Sequence, residues 1–302
     1  FMQAFQISPD RVNVNGGAPT ASDSFLLLGT SGNDTFVYVP TAASAATIAM
    51  TAGALTTTYD LTGIEAATID ALDANTADTL LVNSPNNAVI TPGAFPGEGT
   101  VTGTDALGRP VLPLDFRGIE ANAVVTGGTA LIDASAGDDT ITLDANGTLI
   151  VTNQFGDQNI TDVSAFSGLV LNLLGGDDTV QIDPSALFLL GVQIVGGEPG
   201  TGSDAVTVNA ATTEPNTVNV NLAAGSVNGI VGGAISLVGV ESLSVVGTDG
   251  GVDDVNITGL GTPTELATIN VDGGDTAGDD GDTVDVTLTS GDDQVTITPA
   301  NA

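Results

Sequence analysis

The chain has 302 residues, of which 41% are hydrophobic and 4% aromatic, so its core must consist mainly of small aliphatic side chains. Thirty-seven acidic residues stand against three basic ones, and the net charge of −34 excludes nucleic acid and anionic membranes as partners. Without cysteine the chain has neither disulfides nor thiolate metal sites, and no apolar run approaches the roughly 20 residues that a membrane helix needs.

The chain begins with Phe1 and Met2, so we expect a processed or excised piece of a longer, exported product. Residues 1–28 are detached from the repeats and predict an N-terminal cap or an assembly strand that completes a neighbouring subunit by strand addition. Residues 29–302 predict a repetitive β-solenoid. Helix signals are poor, and the best candidates are the Ala-rich residues 41–54 and the short run 185–190.

Short β-branched runs alternate with turn-forming residues about every ten positions, which is typical of an all-β fold. Two phrases recur among them. The first is glycine, an aliphatic residue and often glutamate, as at Gly63, Gly118 and Gly239, with a degenerate copy at Gly168. The second is an acidic turn that leads into a strand, as in the run from Gly32 to Phe36 and four later copies.

Successive copies of the first phrase lie 55, 50 and 71 residues apart. A coil of three short strands takes roughly 25 residues, so this spacing predicts two coils per repeat, with an insertion in the last. The leading interpretation is a right-handed parallel β-helix of about ten coils. Two to three consecutive β-sandwich domains are the alternative.

The segment Gly29–Val37 resembles the calcium-binding nonapeptide of RTX, or haemolysin-type, secreted bacterial proteins. That resemblance implies that Asp34 is a Ca²⁺ ligand and that Phe36 packs inward. Asp139, Asp178 and Asp293 match the same ligand position. The family repeats its nonapeptide in tandem, whereas these copies stand about 40 residues or more apart, so a tandem β-roll is not expected.

Clustered carboxylates also favour calcium independently of any family, because adjacent charges repel and Ca²⁺ accepts six to eight oxygen ligands. The densest cluster is the glycine-rich stretch from Asp272 to Asp282. The alternative is that an aspartate after a glycine simply forms a turn by bonding its own backbone. The candidate calcium ligands are Asn33, Asp34, Asp138, Asp139, Asp177, Asp178, Asp253, Asp254, Asp272, Asp275, Asp279, Asp280, Asp282, Asp292 and Asp293.

Common catalytic systems are excluded because Ser-His and Cys-His nucleophiles, Schiff-base lysines and the usual zinc sites need residues that this chain lacks. We therefore expect no enzyme. The sequence indicates a calcium-stabilised structural module of an extracellular bacterial filament, surface layer or giant surface protein that self-assembles end to end. Two alternatives remain: an adhesin or glycan-binding module on a β-solenoid rod, and a polysaccharide hydrolase that uses only carboxylates.

Overall fold

The computed structural model describes residues 2–4, 10–17, 22–72, 77–84, 86–93, 95, 97–119, 121–126, 129–153, 156–160, 163, 168–183, 191–197, 204–210, 217–229, 233–247, 253–259, 266–273 and 282–287. Within these residues the chain forms twenty-seven β-strands and no α-helix. The described part of the chain therefore contains no helix that could span a membrane.

The strands are short and follow one another closely along the chain. The first nine are β1 Met2–Ala4, β2 Arg11–Asn15, β3 Ser24–Leu28, β4 Asp34–Ala42, β5 Ala45–Ala52, β6 Leu55–Thr62, β7 Ala66–Asp70, β8 Thr79–Asn83 and β9 Asn87–Pro92. The next nine are β10 Gly99–Thr104, β11 Leu114–Arg117, β12 Ala121–Thr126, β13 Thr129–Asp133, β14 Thr140–Leu143, β15 Leu149–Asn153, β16 Gly156–Ile160, β17 Gly168–Asn172 and β18 Thr179–Ile182. The last nine are β19 Val192–Val195, β20 Ala205–Asn209, β21 Thr217–Asn221, β22 Ser226–Asn228, β23 Ile235–Val238, β24 Ser242–Val246, β25 Asp254–Thr258, β26 Thr268–Asp272 and β27 Thr283–Val286.

The strands assemble into three sheets. Sheet A has fourteen strands in the order β1-β3-β7-β11-β10-β9-β13-β17-β19-β23-β22-β21-β25-β27. Sheet B has six, in the order β12-β8-β4-β5-β6-β2, and sheet C has seven, in the order β16-β15-β14-β18-β20-β24-β26. The chain alternates between sheet A and sheet B in its first part and between sheet A and sheet C later, and β12 of sheet B contacts β16 of sheet C.

This alternation makes a solenoid, because strands from successive coils pair in parallel. The chain passes through sheet A ten times if each antiparallel meander is counted once. The predicted all-β solenoid of about ten coils is therefore confirmed. In the described residues each coil passes once through sheet A and once through sheet B or C, so a coil has two faces and the prediction of three separate strands per coil is wrong.

Four antiparallel meanders interrupt the coils: β4-β5-β6 in sheet B, β9-β10-β11 in sheet A, β14-β15-β16 in sheet C and β21-β22-β23 in sheet A. A coil without a meander advances the sequence by 23 to 29 residues, as in the Leu169–Val192 and Asp254–Thr283 pairings. A coil with one advances it by 37 to 47 residues, as in Ala205–Ser242 and Ala67–Leu114. The long sequence repeat is therefore about one and a half turns plus a meander, not two coils.

The Gly-aliphatic-Glu phrase marks the end of a meander. Gly63, Gly118 and Gly239 follow the returning strands β6, β11 and β23 and have φ angles of 65°, 70° and 66°. Glycine adopts this left-handed conformation at little cost, which lets the chain leave the meander and cross to the other side of the solenoid. The aliphatic residue that follows is buried in each copy: Ile64, Ile119 and Val240.

The core lies between sheet A and sheets B and C, and it is filled by the inward-facing residues of each strand. Burial alternates along the strands, as in β4, because successive side chains point to opposite faces. The buried aromatic residues of the described chain are Phe25, Phe36, Tyr38, Tyr59 and Phe116, all within the first 120 positions. The Ala-rich residues 41–54 form the end of β4, a turn and β5, so the helix candidate there is wrong; β-branched residues and cross-strand pairing favour the strand. Residues 185–190 lie outside the described residues.

Candidate functional site

Buried aspartates stand at the points where the chain enters a strand of the solenoid. Asp34 begins β4, and Asp78, Asp139, Asp178, Asp204 and Asp253 come directly before β8, β14, β18, β20 and β25. Each is at most 5% exposed. Because the strands they precede pair in parallel and in register, equivalent aspartates of successive coils lie one above the other.

The longest described stack runs through four coils along the entry to sheet C. The main-chain N–H of Asp139 donates to Oδ1 of Asp178 at 2.7 Å, and the N–H of Asp178 donates to Oδ1 of Asp204 at 3.0 Å. The N–H of Asp204 donates to Oε2 of Glu241 at 2.8 Å. Each carboxylate thus satisfies a backbone donor of the preceding coil. We call Asp139, Asp178, Asp204 and Glu241 the acidic ladder.

The same bond recurs elsewhere in the solenoid. The N–H of Asp34 donates to Oδ1 of Asp78 at 2.6 Å at the entry to sheet B. At the entry to sheet A, the N–H of Asp253 donates to Oδ1 of Asp282 at 2.8 Å. The main-chain N–H of Asp23 donates in the same way to Oε2 of Glu65, at 2.7 Å. Glu65 and Glu241 belong to the Gly-aliphatic-Glu phrase, so its glutamate takes the place of the aspartate after a meander.

Two of the buried aspartates also close their own turn. Oδ2 of Asp139 accepts the N–H of Ser135 at 2.7 Å and its hydroxyl at 2.8 Å, and Asp34 accepts the N–H and hydroxyl of Thr30 at 2.5 and 3.0 Å. Both donors stand four residues before the aspartate. The corresponding residue before Asp178 is Leu174, which has no hydroxyl.

Two carboxylate oxygens of the ladder are buried and have no hydrogen-bond partner: Oδ1 of Asp139 and Oδ2 of Asp178. A buried carboxylate oxygen without a partner costs free energy, which a proton or a bound cation would relieve. Burial, reinforced by the charges of Asp204, Asp139 and Asp138, raises the pKa of Asp178 to about 7 despite the hydrogen bond from Asp139. Burial is likewise the main cause of the raised pKa of Asp139 and of Asp204.

No basic side chain of the chain is available to neutralise these carboxylates. The three arginines all bond to other aspartates: Arg11 to Asp60, Arg109 to Asp105 and Arg117 to Asp70. The ladder therefore depends on backbone N–H groups, on protons or on ions from outside the chain.

Other predicted ligands lie on the outer side of the same corners. Asp138 and Asp177 precede the buried Asp139 and Asp178, and the N–H of Asp177 donates to Oδ1 of Asp138 at 2.9 Å. Oδ1 of Asn33 accepts the N–H of Ala77 at 3.4 Å. Asp254 accepts the hydroxyl of Thr283, and Asp272 ends β26 with its side chain exposed.

The remaining predicted ligands are Asp275, Asp279, Asp280, Asp292 and Asp293, which lie outside the described residues. Among the residues that are described, no group of three or more acidic side chains converges in the way that a metal site requires. Calcium binding stays a prediction. The orphaned oxygens of Asp139 and Asp178 are oxygen donors of the kind that Ca²⁺ accepts, and they would be the groups to hold it, with main-chain carbonyls and water as its other ligands.

Sequence reasoning missed Asp78, Asp204, Glu65 and Glu241 because none of them belongs to a doubled acidic turn. Their signal is weaker: a single acidic residue, one intervening residue and then an apolar alternation, as in Asp78-Thr79-Leu80. The pattern becomes informative only when the coils are aligned. The chain matches no family model, and no curated protein or solved structure matches it.

Proposed function

We propose that the chain is a calcium-stabilised structural module of an extracellular bacterial filament, surface layer or giant surface protein, and that it self-assembles end to end. The observation that carries the proposal is the acidic ladder. Its in-register carboxylates lie on successive coils, two of them have orphaned oxygens, and all three arginines of the chain bond to other aspartates.

Calcium is the cation that best fits this chemistry. Asp138 and Asp177 form an outer pair beside the inner pair Asp139 and Asp178, which places four carboxylates on two adjacent coils. Ca²⁺ is bound by carboxylates, backbone carbonyls and water in flexible geometries that a turn can provide. It would also relieve the self-repulsion of a chain with a net charge of −34.

End-to-end assembly is supported by the order of the strands. In the described chain, sheet A begins with β1 and ends with β27, and β2 and β26 are the outermost strands on the other side. β1 and β27 each pair in parallel with their neighbour in sheet A, so a second copy can continue the stack by the same pairing. A contact between unlike ends generates an open filament when the rotation between successive copies does not close a ring.

Thermal unfolding in calcium and in EGTA tests the metal. We expect the melting temperature to rise with calcium, because a ligand that binds only the folded state stabilises it. Replacing both Asp138 and Asp177 by alanine should reduce that rise, whereas Asp10→Ala, at an exposed position away from the ladder, should not. An unchanged melting temperature in EGTA would contradict the metal proposal. Electron microscopy in calcium tests assembly: filaments are expected, and dispersed single particles at high concentration would contradict it.

A further inference from the structure

A cavity of about 510 Å³ lies on sheet A, and none of its lining residues belongs to the acidic ladder. Its lining includes Leu26, Thr68, Glu98, Thr100, Asp115 and Arg117. The strand residues among them alternate with buried neighbours, which places them on the outer face of the sheet. The volume falls in the range of about 300–1,000 Å³ that is usual for small-ligand sites.

The floor of the cavity is a row of side chains from four adjacent strands. Leu26 pairs with Thr68, Thr68 with Asp115, and Asp115 with Thr100. Directly opposed residues in a sheet lie about 4.5–5.5 Å apart at their Cβ atoms. A carboxylate flanked by two hydroxyl groups is therefore held on a rigid sheet.

A tight loop between β9 and β10 forms one wall and carries Glu98. The N–H of Gly93 donates to the carbonyl of Glu98 at 2.8 Å, and the N–H of Ile119 donates to the carbonyl of Gly97 at 3.1 Å. Gly97 has a φ of 77°, and a Cβ on Gly93 would lie 2.7 Å from Cβ of Glu98. These contacts fix the loop and hold Glu98 in place before any ligand arrives.

The charges of the cavity select the kind of ligand. Arg117 is held by Asp70, 2.8 Å away, and Glu98 and Asp115 add two carboxylates. The excess of negative charge, in a chain at −34, disfavours anions. The carboxylates and hydroxyls accept hydrogen bonds, and the guanidinium and hydroxyls donate them, which suits a ligand that carries many hydroxyl groups.

We propose that this cavity binds a neutral saccharide unit of a glycan, with Asp115 and Glu98 accepting hydrogen bonds from its hydroxyls and Arg117 donating. With this site, the outer face of sheet A would bind glycans. It does not rest on calcium or on filament formation, because none of its residues belongs to the acidic ladder.

The first test is binding of the full chain to an array of neutral and acidic glycans. Each glycan that binds is then titrated into the protein, and its affinity is measured by saturation-transfer NMR. We expect neutral glycans to bind, and Asp115→Asn and Glu98→Gln each to weaken binding by about tenfold, since a hydrogen bond to a charged acceptor is lost. Asp285→Asn is the matched control, because Asp285 is an exposed aspartate on a strand of sheet A outside the cavity. The glycan affinity of Asp285→Asn should equal that of the unaltered chain.

Three results would overturn the proposal. The first is an array on which no neutral glycan binds. The second is binding that survives both Asp115→Asn and Glu98→Gln at full strength while melting curves show intact folding. The third is release of free sugar from the glycan, which would make the cavity a hydrolytic site instead of a binding site.

Discussion

The main-chain N–H of Asp139 donates to the carboxylate of Asp178 on the next coil, at 2.7 Å, and leaves the other oxygen of Asp178 buried without a partner. The bond links two coils, and the orphaned oxygen makes the stability of this link depend on whether the Asp178 carboxyl is charged.

Stability should fall as the pH rises from about 4 to about 7. The carboxyl of Asp178 has a pKa of about 7 in the folded chain and about 3.8 when unfolded, so in this window the folded state binds the additional proton. The unfolding free energy then decreases by at most about 1.4 kcal/mol per pH unit and levels off above about pH 7. Urea unfolding midpoints at pH 5 and pH 8 measure it, and equal midpoints would contradict the prediction.

Asp178→Asn should remove most of this pH dependence. Asparagine keeps an oxygen for the N–H of Asp139 but carries no charge, so the variant should be more stable than the unaltered chain at pH 8 by about 1–3 kcal/mol. Asp177→Asn, at the exposed neighbouring position, is the control and should leave the slope unchanged. If the unfolding free energy of Asp178→Asn still falls with pH as steeply as that of the unaltered chain, the pH dependence comes from other groups.

Glycine replacements should separate backbone strain from crowding. Gly63, Gly118 and Gly53 all have φ between 60° and 70°, so alanine at each should cost about 1–2 kcal/mol of unfolding free energy. A Cβ on Gly63 would also lie 2.6 Å from the carbonyl oxygen of Gly17, whereas a Cβ on Gly118 has 3.5 Å and one on Gly53 meets nothing within 4 Å. Denaturant unfolding should therefore rank Gly63→Ala as the most damaging. A cost for Gly63→Ala no larger than for Gly53→Ala would remove crowding as a factor.

Tyr38→Phe should destabilise the first coils by about 1–3 kcal/mol. The hydroxyl of Tyr38 is fully buried and donates to the main-chain carbonyl of Leu112, which joins sheet B to the segment before β11. Removing it leaves a buried acceptor without its partner. Met50→Leu is a control of similar size in the same core and should cost less than about 1.5 kcal/mol. Equal unfolding free energies for Tyr38→Phe and the unaltered chain would contradict the role of this bond.

The sequence predicted where the corners lie but not what their acidic residues contact. The alternation around Phe36 and Ile141 located strands, and the doubled aspartates located the turns before them. The bond from Asp34 to Asp78 spans 44 positions, however, and no local pattern connects these two residues. Asp204 and Glu241 were not predicted as site residues because neither belongs to a doubled acidic turn, and their bonding partners lie on other coils.

The prediction of two coils per repeat is wrong, although the Gly-aliphatic-Glu phrase does recur at equivalent places in the fold, at the ends of meanders. Between Gly63 and Gly118 the chain forms β7 to β11, which is one and a half turns closed by a meander. A meander and a second coil consume similar numbers of residues and have the same alternation of apolar side chains. Only the pairing of β10 with β9 and β11 distinguishes them.

Local sequence patterns are enough to predict that the chain is all-β, that its core is aliphatic and that its acidic residues gather at turns, because alternation, side-chain volume and turn chemistry act over a few neighbouring residues. The three-dimensional pairing of strands is needed to show which strands lie side by side, that the coils have two faces, and that aspartates from distant positions stack into a ladder. Those features arise from pairings between residues about 25 to 45 positions apart, which depend on how the whole chain winds.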